Sequence, residues 1–434
     1  MAREQYVVGI DVGSSAVRVV VAQPAVADTG RGERTTDRDP DVPTILGVAS
    51  EPMEGMQKGV ITDVEAAVSS IGRALDVAER MAGVPIEHAY VSINGSHIMS
   101  QNSRGVIAVS RADGEITDDD VARVINAAQA ISLPSNREIL HVLPQDFVVD
   151  GQEHIHDPVG MTGVRLEVET HIIEGSAPFI KNITKALNQA GVHVEDFVFA
   201  PLAAAEAVLE KRQRELGVVL IDLGAGTTSM VAYEENSLLH TAVLPLGAGH
   251  ITNDIAIGLR TSIDIADTVK REHGTALVAE VKANESIVIE EESDSRTPAA
   301  EGSGEQETVS RQEVVNIIHD RLEEILSFVD RELKSINRSG LLPAGVVFTG
   351  GGALLPGVVE VAKKQLRLPA KLGTPSMMHG LTGQSDDASF AVVYGLVHWA
   401  LEQEQRSGRG MQLKVPNVGH TVTKMRGWLK TFMP

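Results

Sequence analysis

Val7-Val8-Gly9-Ile10-Asp11-Val12-Gly13-Ser14-Ser15 and Val218-Val219-Leu220-Ile221-Asp222-Leu223-Gly224-Ala225-Gly226-Thr227-Thr228 are two copies of one pattern. In each, an apolar β-prone run ends on a single Asp, and Gly and hydroxyl residues then turn the chain into a second β-prone run: Ala16–Ala22 after the first, Ser229–Glu234 after the second. Each copy therefore reads as a β-hairpin, and the chain reads as an internal duplication.

The turns have a chemistry of their own. Successive backbone N–H groups in a Gly-rich turn form an anion-binding nest. Alone, one Asp-x-Gly-hydroxyl turn is weak evidence, because a Gly after a strand is most often only a hairpin turn. Two such turns facing one another would hold a nucleotide's phosphates from both sides through Gly13, Ser14, Ser15, Gly224, Gly226, Thr227 and Thr228. Asp11 and Asp222 would then hold a hydrated Mg²⁺, and Arg18 in the first hairpin would touch phosphate. A third element, Val346-Val347-Phe348-Thr349 followed by Gly350-Gly351-Gly352, lacks side chains where the chain leaves a strand, which would let a purine or ribose lie against the backbone. Neither a P-loop nor a Rossmann fingerprint is present.

Composition excludes other classes. The 434 residues include 38 Lys and Arg against 59 Asp and Glu, a net charge of −21 that repels nucleic-acid backbones. Cysteine is absent, so thiolate chemistry and Cys-ligated metals are excluded. The N-terminus has no apolar signal segment, and no run of about 18 apolar residues occurs, which predicts a cytosolic protein. His154 and His156 alternate as on one strand face and are read as surface residues.

Charge is unevenly spread. Gln405 to Pro434 carries six basic residues and no acidic one, leaving −27 on the rest. Winding residues 422–433 at about 100° per residue gathers Val422, Met425, Trp428, Leu429, Phe432 and Met433 within an arc of about 140°, with Lys424, Arg426 and Lys430 elsewhere. Apolar and aromatic bulk on one side and cations on the other is the pattern of a helix lying in a membrane interface. Three cations near an anionic leaflet contribute about 1 kcal/mol each, so one tail binds reversibly and a row of tails on a polymer binds firmly. Residues 402–419 have the composition of a tether.

Between these motifs, Asp63–Met81 has helical spacing with Asp63 as N-cap, residues 24–43 and 283–309 read as exposed loops, Leu202–Arg214 as one helix and Gln312–Asn337 as another. Strands and a capped helix between Gly83 and Gly160 read as a small α+β insertion.

Two phosphate hairpins with a late triple glycine resemble the superfamily of actin, sugar kinases and heat-shock ATPases. Phe199-Ala200-Pro201-Leu202-Ala203-Ala204-Ala205-Glu206, Leu244-Pro245-Leu246-Gly247-Ala248-Gly249-His250 and the position of the insertion are similar, within it, to the FtsA family of bacterial cell-division proteins. The resemblance covers nearly the whole chain. It implies a duplicated, ribonuclease H-like two-lobe α/β ATPase fold, divided as 1–82 with 161–214 and 380–401 (subdomain IA), 83–160 (inserted subdomain IC), 215–250 with 338–379 (IIA) and 251–337 (IIB), followed by a linker over 402–419 and an amphipathic helix over 420–434. It implies ATP and Mg²⁺ as cofactors with at most weak hydrolysis, Asp267 and Lys270 near adenosine, and Glu206 beside Asp11 as a water-orienting candidate. It further implies filament formation at the cytoplasmic face of the cell membrane, binding of the FtsZ C-terminal tail with Arg311 and Arg321 as candidate contacts, and recruitment of later divisome proteins. Two other readings use the same hairpins: a small-molecule kinase of the superfamily, and a pilus-assembly protein resembling PilM, which lacks the terminal helix.

Overall fold

The computed structural model describes residues 6–24, 43–282, 284–289, 307–375 and 387–408. Strands β1 (Val7–Val12) and β2 (Ala16–Gln23) form the first hairpin, with Asp11 opposite Arg18. Strand β3 (Thr44–Pro52) pairs with β2, and a small hairpin of β4 (Met56–Gln57) and β5 (Val60–Ile61) follows. Helix α1 (Val64–Ala82) starts where the Asp63 carboxylate accepts the amides of Glu65 and Ala66, and stops at Gly83, whose φ of 71° lies in the left-handed region. Its buried face, including Ile71, Ala74 and Leu75, covers the sheet. Strand β6 (His88–Ile93) then pairs parallel to β1.

A separate sheet follows: β7 (Met99–Ala108), β8 (Arg137–Val149), β9 (Gln152–Ile155) and β10 (Arg165–Ser176), in the order β7-β10-β8-β9. Helix α2 (Asp118–Ala128), begun by a Thr117–Asp120 capping box, packs Val124 and Ile125 against Phe147, Leu166 and Ile172. These boundaries correct the expected insertion of 83–160. Strand β6 belongs to the first sheet, and β10 pairs along both β7 and β8, so the inserted sheet begins after Ile93 and runs through Ser176.

The chain returns through α3 (Ala177–Gln189) to β11 (His193–Phe199), which pairs parallel to β6. The single helix expected over Leu202–Arg214 is two, α4 (Ala200–Val208) and α5 (Lys211–Leu216), because Leu209 turns extended at φ −93°, ψ 129°. The second lobe contains β12 (Val218–Leu223), β13 (Thr228–Glu234), β14 (Ser237–Leu244), α6 (Ala248–Leu259), α7 (Ile263–His273), β15 (Ser286–Ile289), β16 (Glu307–Ser310), α8 (Arg311–Ser335), β17 (Gly345–Thr349), α9 (Val358–Leu366) and β18 (Ala370–Leu372). Helix α10 (Ala391–Gly408) continues over 402–408, where a tether was expected.

The two large sheets have one topology. The first runs β11-β6-β1-β2-β3 and the second β18-β17-β12-β13-β14, each with its hairpin antiparallel and its next two strands parallel. The sequence duplication is thus a duplication of the sheet. Strand β12 is buried at all six positions because helices cover both faces, and each fully buried Val, Leu or Ile there contributes up to about 1.5–3 kcal/mol. Helices α4 and α10 pack between the sheets, so closely that a Cβ on Gly395 would clash with the carbonyl of Ala203.

The insertion also touches the second lobe, along strand β14 at the edge of its sheet. Gln145 donates to the Leu238 carbonyl at 2.6 Å, Ser237 donates to the Gln145 carbonyl at 3.0 Å, and Ser100 donates to the Thr241 carbonyl at 2.9 Å. His171 lies at 2.9 Å from Thr241 Oγ1 and 2.6 Å from Asn102 Oδ1. An exposed strand edge is a template for unwanted pairing, and this seam covers it. No helix among the described residues is long and apolar enough to cross a membrane.

Candidate functional site

The two hairpin turns close in the same way. Gly13 N–H donates to the Ala16 carbonyl at 3.0 Å, and Gly224 N–H donates to the Thr227 carbonyl at 3.0 Å. In both, a Cβ on the Gly would stand 3.0 Å from that same oxygen, so glycine lets each turn close without crowding. The turns meet across the lobes: a Cβ on Gly226 would stand 2.7 Å from Ser14 Oγ and 3.0 Å from the backbone of Lys58.

Beneath the turns lie the two carboxylates. Ser92 donates to Asp11 Oδ1 at 2.6 Å, and Arg18 stands 3.9 Å from Asp11 Oδ2. Burial raises the Asp11 carboxyl above its usual range, against the opposing pull of Arg18 and Ser92. Burial, and then the negative charge of Asp11, push Asp222 up to about 7. The two side chains therefore feel one another across the cleft although they come from opposite lobes. Gly350 completes the group. Its φ of 84° admits glycine readily, and a Cβ there would clash with Asp222 Oδ1. A Cβ on Gly352 would press 2.8 Å from the Cβ of Ala248, so the triple-glycine turn rests on the start of α6. Gly351 faces Ser389 across ordinary contact distance. Ser15 accepts the Met53 amide through its carbonyl, and Thr228 donates to the Leu246 carbonyl at 2.8 Å.

The remaining candidates are placed differently. Arg18 lies under Asp11 and 5.4 Å from the Phe390 ring centroid, with its Nε buried and without a hydrogen-bond partner among the described residues. Asp267 and Lys270 lie on α7 and are tied to α6: Lys270 donates to Thr252 Oγ1 at 2.5 Å and pairs with Asp267 at 2.7 Å. Glu206 pairs with Arg214 at 2.9 Å, in a group with the buried Tyr233, so its carboxylate is engaged within the chain. Arg311 pairs with Glu285 at 2.7 Å and donates to the His273 carbonyl, and Arg321 forks onto Asp254 at 2.5 and 3.0 Å. Both are engaged within the chain. His154 is an exposed residue paired with Asp146 at 3.1 Å. The membrane-face candidates Val422, Met425, Arg426, Trp428, Leu429, Lys430, Phe432 and Met433 lie outside the described residues.

Sequence reasoning missed Ser92, Asn94, Lys58 and Gly59. Ser92 and Asn94 come from the end of β6 and its following turn; Asn94 donates to Ser229 Oγ at 2.7 Å, joining the lobes. The Lys58–Gly59 tip of the β4–β5 hairpin reaches the first turn, where Gly59 N–H donates to Ser14 Oγ at 3.0 Å.

The residues fit a magnesium-bound nucleotide. Two buried, mutually repelling carboxylates are relieved by a hydrated cation, turn amides and hydroxyls suit phosphate, and an unpartnered Arg18 Nε supplies a further donor.

Duplicated sheets, facing turns and an α+β insertion define an actin-like protein, and comparison with solved structures agrees. The structure matches the PilM–PilN type IV pilus biogenesis complex at a TM-score of 0.64, 16% identity, and 92% and 99% coverage of the two chains. It matches MreB5 of Spiroplasma citri bound to ADP at 0.53, 13%, and 94% and 99%. At these identities the likeness is one of fold. The family is given by sequence. A model of the SHS2 domain inserted in FtsA matches residues 95–174, in agreement with the inserted sheet, and a model of cell division protein FtsA matches residues 219–395. Cell division protein FtsA of Bacillus subtilis (strain 168) is 38% identical over 416 residues, covering 96% of this chain and 88% of the relative. That of Pseudomonas aeruginosa is 36% identical over 407 residues, covering 94% and 92%, and that of Escherichia coli (strain K12) is 32% identical over 432, covering 98% and 97%. The chain belongs to the FtsA family of bacterial cell-division proteins.

Proposed function

We propose that the cleft binds Mg²⁺·ATP and that the chain, as a nucleotide-dependent filament on the cytoplasmic face of the membrane, tethers the FtsZ ring and recruits later divisome proteins. The convergence of Asp11, Asp222 and Gly350 under two matched turns is the observation that carries this reading. When bound, magnesium would offset phosphate charge. Asp11 and Asp222 would hold its waters, Gly13–Ser15 and Gly224–Thr228 would hold the phosphates, and Gly350–Gly352 would leave room for adenosine, toward which Asp267 and Lys270 on α7 are further candidates. With Glu206 paired with Arg214, at most weak hydrolysis is expected.

The basic, amphipathic segment 420–434 supports membrane attachment, and many tails along one filament would convert weak individual binding into firm attachment. The FtsZ tail would meet the subdomain holding α8, near Arg311 and Arg321, by competing with Glu285 and Asp254 for their guanidinium groups.

The test is calorimetric titration of ATP with and without Mg²⁺, paired with sedimentation on anionic liposomes. Magnesium-dependent ATP binding, with lipid binding lost on deletion of 420–434, is expected. Absence of nucleotide binding, or lipid binding unchanged by the deletion, contradicts the corresponding half of the reading.

A further inference from the structure

The β4–β5 hairpin does not belong to either duplicated sheet, yet its tip occupies the meeting point of the two turns. Met56 and Ile61 at its base are buried in the core of the first lobe, which fixes where the tip stands. The tip is the two-residue loop Lys58–Gly59, with φ of 49° and 75°, the conformation of a type I′ turn. Asn, Asp or Gly suit its first position; a lysine held there is the kind of strained residue that clusters at ligand clamps.

Four contacts lock the tip in place. Gly59 N–H donates to Ser14 Oγ at 3.0 Å, and the Lys58 carbonyl accepts the Ser96 amide at 3.1 Å. The backbone of Gly59 lies against Gly95, so closely that a Cβ on Gly59 would clash with Gly95 Cα. From the other lobe, the site of a Cβ on Gly226 is 3.0 Å from both Lys58 N and Lys58 Cα. Lys58 itself is exposed and forms no ion pair or side-chain hydrogen bond among the described residues.

The charges near the cleft explain why this cation matters. Asp11 and Asp222 are buried acidic groups, and Arg18, which faces Asp11 and the ring of Phe390, stands beneath the turns rather than at the tip where they meet. A triphosphate entering between the turns brings more negative charge than its magnesium ion removes. If the purine lay against Gly350–Gly352, beside Asp222, Ser14 and Gly226 would be placed to hold the far end of the phosphate chain, and the flexible four-carbon stem of Lys58 is rooted there. Resting on the nucleotide reading above, we propose that Lys58 is the cation that engages the terminal phosphate, and that the β4–β5 hairpin thereby distinguishes ATP from ADP.

The test compares Lys58→Asn and Lys58→Arg with the wild-type full chain, titrating ATP and ADP separately with Mg²⁺ present. Asn is at ease in the left-handed region, so Lys58→Asn removes the cation while keeping the turn, and an unchanged or higher melting temperature verifies the fold. Loss of a charge-assisted bond to phosphate predicts an ATP affinity lower by about tenfold or more, with ADP changed by less than about twofold. Lys58→Arg keeps most of the ATP affinity. Hydrogen exchange of residues 56–61 in the wild type is slowed more by ATP than by ADP. Equal losses for ATP and ADP, no loss for either, or an Arg variant as weak as the Asn variant would overturn the proposal while leaving the nucleotide site intact. A wild type that binds neither nucleotide overturns both.

Discussion

Asp11 and Asp222 repel one another across the cleft: burial and the charge of Asp11 together hold the Asp222 carboxyl up at about 7. They reach this position from the ends of equivalent strands, each opposite the second strand of its hairpin, Asp11 facing Arg18 and Asp222 facing Ser229. On the proposed reading, a bound cation would relieve this repulsion.

Replacing Asp222 with Asn should therefore stabilise the ligand-free protein and weaken magnesium-dependent nucleotide binding. The sign follows from proton linkage. A carboxyl with a raised folded-state pKa binds more protons folded than unfolded between its ordinary value and about 7, so its contribution to stability declines as pH rises through that range. The stability gain of Asp222→Asn over the wild type should be largest near pH 8 and vanish near pH 4, as read by denaturant unfolding at each pH. A gain independent of pH would show that the repulsion is absent.

The histidines act in the opposite direction. His171, buried against Asn102 and Thr241, is lowered to about 3 by burial and then by His240; His97 is lowered to about 4 by burial and then by Arg137. Both are neutral in the fold. Their contributions are present above the unfolded value near 6.5 and are lost as pH falls toward 4 and 3. Substituting Thr241→Val leaves one His171 ring nitrogen unpaired at the seam between insertion and second lobe, and should cost about 1–3 kcal/mol. Urea unfolding at pH 7 measures it, and exchange of amides in β7 and β14 should quicken together.

Glu206 is a structural residue on this account. Removing it as Glu206→Ala strands the buried Arg214 guanidinium beside Tyr233 and should destabilise the protein by about 3–5 kcal/mol. Nucleotide affinity measured below the unfolding temperature should stay within about twofold of the wild type, because uncoupled, well-separated sites add independently. A selective loss of ATP turnover with stability unchanged would restore the catalytic assignment.

Close packing at the centre makes a fourth prediction. A methyl group on Gly395 has nowhere to go against the Ala203 carbonyl, so Gly395→Ala should lower stability by roughly 1–3 kcal/mol despite the better helix propensity of alanine. Thermal unfolding followed by circular dichroism measures it.

The strand–Asp–glycine turns were legible in the sequence because everything that defines them is local: an apolar run, one carboxylate, and a tight turn that Gly13 and Gly224 let close without crowding. Partners arriving from elsewhere were not. Ser92 and Asn94 reach Asp11 and Ser229 only because β6 pairs parallel to β1, and a parallel pairing leaves no short-range signature. The same pairing took β6 out of the expected insertion, and the long register of β10 with β7 and β8 extended it to Ser176. Lys58–Gly59 carried a usable signal, a Gly at the second position of a two-residue turn between Met56-Gln57 and Val60-Ile61, but those strands are too short for periodicity to reveal. The water-orienting role of Glu206 came only from the family resemblance, and its partner Arg214 lies across a helix break that the reading of Leu202–Arg214 as one helix conceals.

Whether turns from opposite lobes close on one nucleotide is decided by a crystal structure of the chain grown with Mg²⁺ and a non-hydrolysable ATP analogue. The account predicts phosphates between Gly13–Ser15 and Gly224–Thr227, a hydrated metal between Asp11 and Asp222, and adenosine against Gly350–Gly352. A nucleotide seated elsewhere, or touching only one of the two turns, would contradict it.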